Sequence, residues 1–386
     1  MATTRQGSDR MAALLTVGLF SHGMGAGIVA VPLIALAAGY DASSVGFLVA
    51  MAAASQLIVR LGTPWLLGRF ADRSLSAVSA ACLVASFGAL AMSTALPVFL
   101  VAQVLQGLGR GVFWTSSQTH AVRDAGRPVQ RLVDLNLAGN AGTLSGPLVA
   151  GALGAVDLRL ALLWAAGAAA GAVIGSVALY RLPPFDRRRS SGTLSLLRRP
   201  GIAASSWGSV VGGAWWAMLG SFVPVMLVAA GVGTLGVGGL ITASEAAGLV
   251  ALILLRRWPA DRVSLAVAVG GFAACGALVG LALAPPFLPL SVVLLLIGGA
   301  ASGTVTTLAP ALAAAEAGPE EQGDALALSG TFRAGALLGA PAAVGAVVAI
   351  APLAVGLFAL GSGLALVGAV VERGRSGTAG PPRAGG

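Results

Sequence analysis

The chain has 386 residues, of which 57% are hydrophobic and 10% are charged, whereas an ordinary soluble domain carries about 25% charged residues. So much apolar surface cannot be buried inside a chain of this length, which excludes a soluble enzyme, a disordered chain and a secreted disulfide scaffold and indicates a lipid bilayer as the solvent. All 23 basic residues are Arg, and the 14 acidic residues leave a formal net charge of +9.

Apolar stretches broken by charge, Gly or Pro follow one another along the whole chain. A helix needs about 20 residues to cross a bilayer. We therefore predict an all-α polytopic membrane protein with twelve transmembrane helices, at about 11–38, 44–67, 76–95, 97–121, 132–155, 159–181, 202–230, 235–255, 263–284, 288–315, 325–350 and 352–371.

The distribution of Arg predicts the orientation of these spans. With the N-terminus in the cytoplasm, the inside segments hold 19 Arg and the outside connections hold only Arg159. Cytoplasmic loops of membrane proteins carry such an excess of positive charge. Both termini are therefore predicted to be cytoplasmic. One inside loop is acidic instead, with Glu316, Glu320, Glu321 and Asp324.

The longest hydrophilic connection divides the chain into two similar halves. We predict a six-helix bundle over 1–182, a cytoplasmic linker over 183–201, a second bundle over 202–371 and a cytoplasmic tail over 372–386. Three segments recur in the same order at an offset of about 190 residues, which is typical of transporters built from parallel repeats. The matching pairs are 66–73 with 254–262, 106–111 with 298–303, and 142–151 with 335–345.

Two motifs in the first half carry a physical role. The loop after span 2 reads Gly68-Arg69-Phe70-Ala71-Asp72-Arg73. A carboxylate at a helix start can accept from backbone N–H groups or pair with a loop Arg, so it can latch one conformational state. Span 5 contains Gly142, Gly146, Pro147 and Gly151, which permit a bend and close helix packing.

These features together resemble the major facilitator superfamily over nearly the whole chain. The loop over 68–73 resembles the family's G-x-x-x-D-R signature, although Ser74-Leu75-Ser76 replaces the Gly and basic residues that normally follow. The glycines of span 5 resemble the Gly-Pro motif of drug:proton antiporters. The resemblance implies two pseudo-symmetric six-helix bundles that rock around a substrate site near the membrane midplane, and it favours export.

Span 4 departs from the family pattern. Many exporters carry an Arg four residues before a Gly in this span, and here that position is Gln103, before Gly107. Arg110 lies on nearly the same helix face two turns further on. Arg110 either replaces the missing cation or binds an acidic substrate.

Ionisable residues inside a membrane are costly and mark functional positions. We select Glu245, Arg110, Arg60, Arg333 and His22 as candidates for coupling or transport. Glu245 either exchanges a proton or forms a structural ion pair, and His22 either relays protons or only packs. Polar or aromatic residues that face either a cavity or a neighbouring surface are Gln56, Gln103, Asn136, Asn140, Trp215 and Trp216.

The sequence contains no phosphate-binding loop, no HExxH and no CxxC motif. We therefore expect no enzymatic activity, no cofactor and no metal. The favoured function is proton-coupled efflux of a small organic compound by a monomer in a bacterial inner membrane, without nucleic acid partners. The alternative is uptake of a small anionic metabolite, because three Arg within the spans outnumber one Glu. A sensor or membrane enzyme is disfavoured because no soluble segment is large enough to form another domain.

Overall fold

Helices account for nearly all of the structure, a computed structural model that describes residues 2–123, 128–184, 193–255, 259, 262–284, 287–317 and 321–378. These residues contain no strand. The helices are α1 (Ala2–Ala37), α2 (Ala42–Leu67), α3 (Asp72–Met92), α4 (Leu96–Arg123), α5 (Pro128–Gly154), α6 (Leu158–Ala178), α7 (Pro200–Leu219), α8 (Phe222–Ala229), α9 (Thr234–Leu255), α10 (Val263–Leu283), α11 (Leu288–Glu316), α12 (Gln322–Val348) and α13 (Leu353–Thr378), with a short 3₁₀ helix at Thr193–Arg198 before α7.

Each of the twelve predicted spans corresponds to one of these helices or, in one case, to a helix pair. Ten helices in the described part of the chain are long and apolar enough to cross a membrane, and the bent pair α7 and α8 meets the same criterion when its two helices are taken as one span. α5 corresponds to the remaining predicted span. It is not among the ten, and its first half carries Arg131, Asp134, Asn136 and Asn140. The predicted all-α polytopic fold is confirmed.

The seventh predicted span is broken rather than continuous. α7 and α8 meet at an angle of 45°, and Ser221 between them has non-helical backbone angles, with φ −135° and ψ −77°. Pro224 follows in the first turn of α8 and has no N–H to donate to the carbonyl of Gly220, four residues earlier. The chain therefore bends at this point of an otherwise apolar segment.

The described helices form two compact units. The first contains α1–α6, α8 and α9 as far as Glu245, and the second contains α7 as far as Ala217, α9 from Ala246, and α10–α13. Met218–Glu245 thus belongs to the first unit, although the sequence analysis placed it in the second bundle. The division into two six-helix bundles stays a prediction.

Within the first unit, α1 packs along both α5 and α6, and α4 packs on α2 and α3. The rings of Phe20 and Phe113 stack between α1 and α4, with centroids 3.5 Å apart. In the second unit, α10 packs against α11 and α13, and Trp207 donates to the carbonyl of Leu364 at 2.9 Å. Large apolar side chains such as Leu61 and Ile174 are exposed, as expected of surfaces that face lipid.

The structure adds detail to two predicted hydrophilic segments, the C-terminal tail and the acidic inside loop. α13 continues to Thr378, so residues 372–378 of the predicted tail are helical. The acidic inside loop pairs with the start of α7, since Arg199 donates to both carboxylate oxygens of Glu321 at 2.7 and 3.1 Å. The Arg cluster 187–189, the second-half copy of the loop motif around Arg256 and Arg257, and the last eight residues lie outside the described residues.

Candidate functional site: the loop motif, the α5 glycines and the buried amides

The motif over 68–73 forms the turn between α2 and α3. α2 ends at Leu67 and Asp72 is the first residue of α3, where the partial positive charge of the helix N-terminus favours a carboxylate. The side chain of Asp72 is completely buried, whereas Arg69 is exposed. The Arg69 guanidinium lies 4.5 Å from the ring centre of Trp65, a cation–π contact. That Asp72 latches a transport state stays a prediction.

The second Arg of the motif contacts the chain where it leaves α6. Nη1 of Arg73 donates to the carbonyl of Leu179 at 3.3 Å. The N–H of the same peptide bond, from Tyr180, donates to Oδ1 of Asp9 in α1 at 2.7 Å. The other oxygen of Asp9 accepts from Nε2 of His120 in α4 at 3.1 Å. α1, α4 and the end of α6 therefore meet beside the motif.

His120 closes these contacts into a ring. Its imidazole is 2% exposed, and its Nδ1 lies 3.9 Å from Oδ2 of Asp72. Asp72 and Arg73 are neighbours in the chain. The series of contacts that begins at Arg73 and passes through Asp9 and His120 therefore ends at the adjacent residue, Asp72. We call this set the motif ring; its members are Asp9, Asp72, Arg73, His120, Leu179 and Tyr180.

Sequence reasoning did not select Asp9 or His120 as functional residues. A usable signal was present: Asp9 lies just before predicted span 1 and His120 lies at the end of predicted span 4, so the predicted topology puts both at the same membrane face. Arg10, Arg131 and Asp134 line the same small crevice as Asp9 and His120, and Arg10 pairs with Asp134 at 2.5 Å.

The span 5 glycines bring α5 into backbone contact with α1. A Cβ added at Gly142 would lie 2.8 Å from the backbone nitrogen of His22, and one added at Gly146 would lie 2.5 Å from that of Ala26. Real Cβ atoms essentially never approach other atoms so closely. Only glycine fits at Gly142 and Gly146, so α5 and α1 pack closely here, and the role of the motif in transport stays a prediction.

The far end of the same motif contacts α9 within the first unit. A Cβ at Gly151 would lie 2.9 Å from the carbonyl oxygen of Thr234 and 3.0 Å from Cα of Gly238. The carbonyl of Pro147 also packs against Gly238. In addition, Oγ1 of Thr242 donates to the carbonyl of Leu144 at 3.2 Å. The motif therefore joins α5 to α1 on one side and to the first half of α9 on the other.

The matching glycines of the second half are packed differently. A Cβ at Gly335 or Gly339 would meet no described atom within 4 Å beyond its own helix. The sequence repeat between 142–151 and 335–345 thus does not extend to equivalent packing.

His22 joins α1 to α5 and α6 through both ring nitrogens. Nε1 of Trp164 donates to Nε2 of His22 at 2.7 Å, and Nδ1 of His22 lies 2.8 Å from Oγ of Ser145. Because the indole nitrogen can only donate, Nε2 must be unprotonated and Nδ1 carries the proton. In this structure His22 is a neutral packing group, and a role as proton relay stays a prediction.

Three glutamines are buried where α2 crosses α4. Gly107 and Gly111 let the helices approach, since a Cβ at either would lie within 2.9 Å of a backbone atom of Gln56. Gln56, Gln103 and Gln106 are at most 6% exposed. Oε1 of Gln56 and Nε2 of both α4 glutamines have no hydrogen-bond partner among the described residues. Burial of such a polar atom costs free energy unless the atom forms a hydrogen bond.

The other candidate residues differ in how far they are buried. Trp215 is 1% exposed and packs on Gly298 of α11, because that glycine leaves room for its ring; it therefore fills the core of the second unit. The half-buried candidates are Arg60, Arg110, Trp216, Glu245 and Arg333, and the exposed ones are Asn136 and Asn140. No group of His, Cys, Asp and Glu in the described chain is arranged to hold a metal ion.

The sequence pattern of the Major Facilitator Superfamily matches residues 14–341. The chain belongs to this superfamily. It is a multi-pass membrane transporter rather than an enzyme. No curated protein sequence matches it significantly.

Solved structures share the fold at low sequence identity. A mutant of the nucleoside transporter NupG is 12% identical and has a TM-score of 0.77, with 96% of this chain and all of that chain covered. A D-xylose-proton symporter is 15% identical, with a TM-score of 0.74 and 95% and 97% coverage. The human organic anion transporter MFSD10 is 16% identical, with a TM-score of 0.66 and 94% and 98% coverage.

Proposed function

We propose that this transporter exports a small organic compound in exchange for protons. The observation that carries the proposal is the packing of α5. Gly142 and Gly146 contact the backbone of α1, and Gly151 contacts α9. These are the glycines whose pattern resembles the motif of drug:proton antiporters, and the structure gives each of them a steric reason to be glycine.

The buried amides of α2 and α4 are the proposed substrate contacts. Gln56 presents an acceptor, and Gln103 and Gln106 present donors, all without described partners. A compound that carries both a hydrogen-bond donor and an acceptor, such as an amide, a hydroxyl group or a heteroaromatic ring, can satisfy them. Buried polar groups that would otherwise stay unpaired discriminate strongly between compounds. An analogue that lacks the matching donor or acceptor leaves one of these amides without a hydrogen bond.

Glu245 is the proposed proton carrier. It is half-buried in α9, seven residues after Gly238, which contacts the α5 motif. A carboxylate in this helix can change its protonation when its surroundings change between transport states. Its position on the helix that contacts α5 would couple proton exchange to the motif.

Purified protein in liposomes loaded with a pH-sensitive dye tests the direction of coupling. Organic cations, neutral amides and carboxylates are added outside one at a time. In an antiporter, substrate that enters drives protons out, so the lumen becomes alkaline. Acidification of the lumen would instead show symport and would reject the proposal, and substrate entry without any pH change would show a facilitator.

Uptake of a small anionic metabolite is the second candidate. Its support is the excess of cationic side chains within the spans, where Arg60, Arg110 and Arg333 are all half-buried. In the same assay, this function predicts that carboxylates alone enter the liposomes and that the lumen does not become alkaline.

A further inference from the structure

Protonation of His120 would change its contact with Asp72 in the motif ring from repulsive to attractive. Its Nε2 faces Asp9 at 3.1 Å and its Nδ1 faces Asp72 at 3.9 Å. Carboxylates only accept, so Nε2 carries a proton in the bond to Asp9. With neutral imidazole, Nδ1 carries a lone pair at 3.9 Å from the Asp72 carboxylate, a distance too long for a hydrogen bond. With imidazolium, Nδ1 carries an N–H instead.

The change from repulsion to attraction takes place away from bulk water. Asp72 is completely buried, His120 is 2% exposed, and the side chain of Asp9 is 12% exposed. Charge interactions are weakly screened in such surroundings. Histidine is the side chain that ordinarily gains or loses a proton near neutral pH.

The ring transmits this change to three separate parts of the first unit. Asp9 belongs to the N-terminal part of α1, Asp72 begins α3 within the loop motif, and the Leu179–Tyr180 peptide leads towards the predicted central linker. Among the described residues, the charged groups that line the adjoining crevice with Asp9 and His120 are Arg10 of α1 and Arg131 and Asp134 of α5.

We propose that His120 is a positioning residue for the loop motif and makes the transporter sensitive to pH on that membrane face. Protonated His120 holds Asp72 and Asp9 together, which keeps the motif tied to α1 and to the end of α6. Loss of the proton releases Asp72 from this arrangement. The inference does not depend on the substrate, on the direction of transport or on Glu245.

His22 provides a matched control, because the chain has only two His. Trp164 donates to Nε2 of His22 at 2.7 Å, so protonation of that nitrogen would place two donors against each other. Stabilisation by acid that depends on a histidine is therefore assigned to His120, because protonation of His22 would break the bond from Trp164 and act in the opposite direction.

The first test measures melting temperature in detergent and needs no substrate. Wild-type protein should melt at a higher temperature at about pH 6 than at about pH 8, because protonated His120 stabilises the ring. His120→Gln keeps a donor towards Asp9 but cannot be protonated, so it should remove most of this difference. His22→Gln should keep the difference. The proposal is overturned if His120→Gln responds to pH as wild type does, or if wild type shows no response.

The second test separates positioning from stability. In liposomes, the transport rate is measured while the pH on each side is varied independently. Wild type should respond more strongly to the pH on the side of the loop motif than on the other side, and His120→Gln should lose this excess while it still transports and still responds to the pH gradient. Asp9→Asn removes the partner of Nε2 and should weaken the same excess. If His120→Gln does not fold, Asp9→Asn in the melting assay decides, and an unchanged pH difference in that variant would overturn the proposal.

Discussion

The role of a single residue in this transporter depends on the hydrogen-bond donors and acceptors around it. The two histidines differ in their neighbours: His22 accepts from an indole N–H and lies beside a hydroxyl group, whereas Nε2 of His120 donates to one carboxylate and Nδ1 lies 3.9 Å from another. The same side chain therefore accepts a hydrogen bond at Nε2 in one place and donates one from Nε2 in the other. Asp72 gains its importance in the same way, from complete burial at the start of α3 beside His120.

Replacement of Asp72 with Asn should strongly reduce transport while the protein still reaches the membrane in near-normal amounts. Asn keeps the size of the side chain but removes the charge that faces His120. Asp41→Asn is the matched control, since Asp41 caps the start of α2 by accepting from the N–H of Ser44 at 2.7 Å, and Asn caps equally well. Transport assays and membrane immunoblots of both variants check this. An unchanged transport rate in Asp72→Asn would show that the charges of the motif serve only to orient the helices in the membrane.

Glu245→Gln should mimic a permanently protonated carboxylate. Transport driven by a gradient should fail, whereas exchange of substrate at equal concentrations on both sides should persist, since exchange needs no net proton movement. If Glu245 is instead only a structural ion-pair partner, the variant should express poorly or melt early, because breaking a buried pair costs about 3–5 kcal/mol. A well-folded variant that accumulates substrate at the wild-type rate would contradict both roles.

Arg110→Gln distinguishes recognition from coupling. Loss of anionic substrates alone would show that the guanidinium binds substrate charge, whereas loss of every substrate would show a structural or coupling role. Uptake of a carboxylate and of a neutral amide, measured side by side in liposomes, separates the two outcomes.

At the scale of helices, the surface of α5 is constrained by close contacts with the backbones of two other helices. It presents glycine to α1 at Gly142 and Gly146 and to α9 at Gly151. The equivalent stretch of α12 has open space at Gly335 and Gly339. Two segments with similar glycine patterns thus differ in packing, because one lies in close backbone contact with other helices and the other does not.

Gly146→Ala and Gly339→Ala test this difference directly. The added methyl group at Gly146 would overlap backbone atoms of α1, and overpacking of this kind costs about 1–3 kcal/mol. We expect a lower melting temperature and reduced transport for Gly146→Ala, and nearly wild-type values for Gly339→Ala. Equal melting temperatures for the two variants would contradict the assigned packing.

At the scale of the whole molecule, the Arg distribution predicts which face of the protein is cytoplasmic. Single cysteines at Ser190 and Gly377, in a background with Cys82 and Cys275 replaced by Ser, report on this orientation. Both should resist an impermeant thiol reagent in intact cells and react after lysis. Labelling of either in intact cells would overturn the predicted topology.

The sequence by itself determined the helical membrane fold and the family. Hydropathy is a property of each segment alone, so it can be read before any segment is placed beside another. Arg excess and short motifs are equally local, which is why the loop over 68–73 and the α5 glycines could be identified in advance. Sequence analysis did not predict the break at Gly220–Ser221. The flanking residues are apolar throughout, so the mean hydropathy of the segment does not reveal one distorted turn.

Only the tertiary structure decided which residues meet. Asp9, Asp72, His120 and Tyr180 come from four separate parts of the chain, and their contacts depend on the rotation and depth of four helices. Neither quantity is contained in hydropathy. The same reason explains why Trp215 packs in the core and why Gly146 is crowded while Gly339 is not: close contact is a property of two surfaces, and a sequence describes each surface separately.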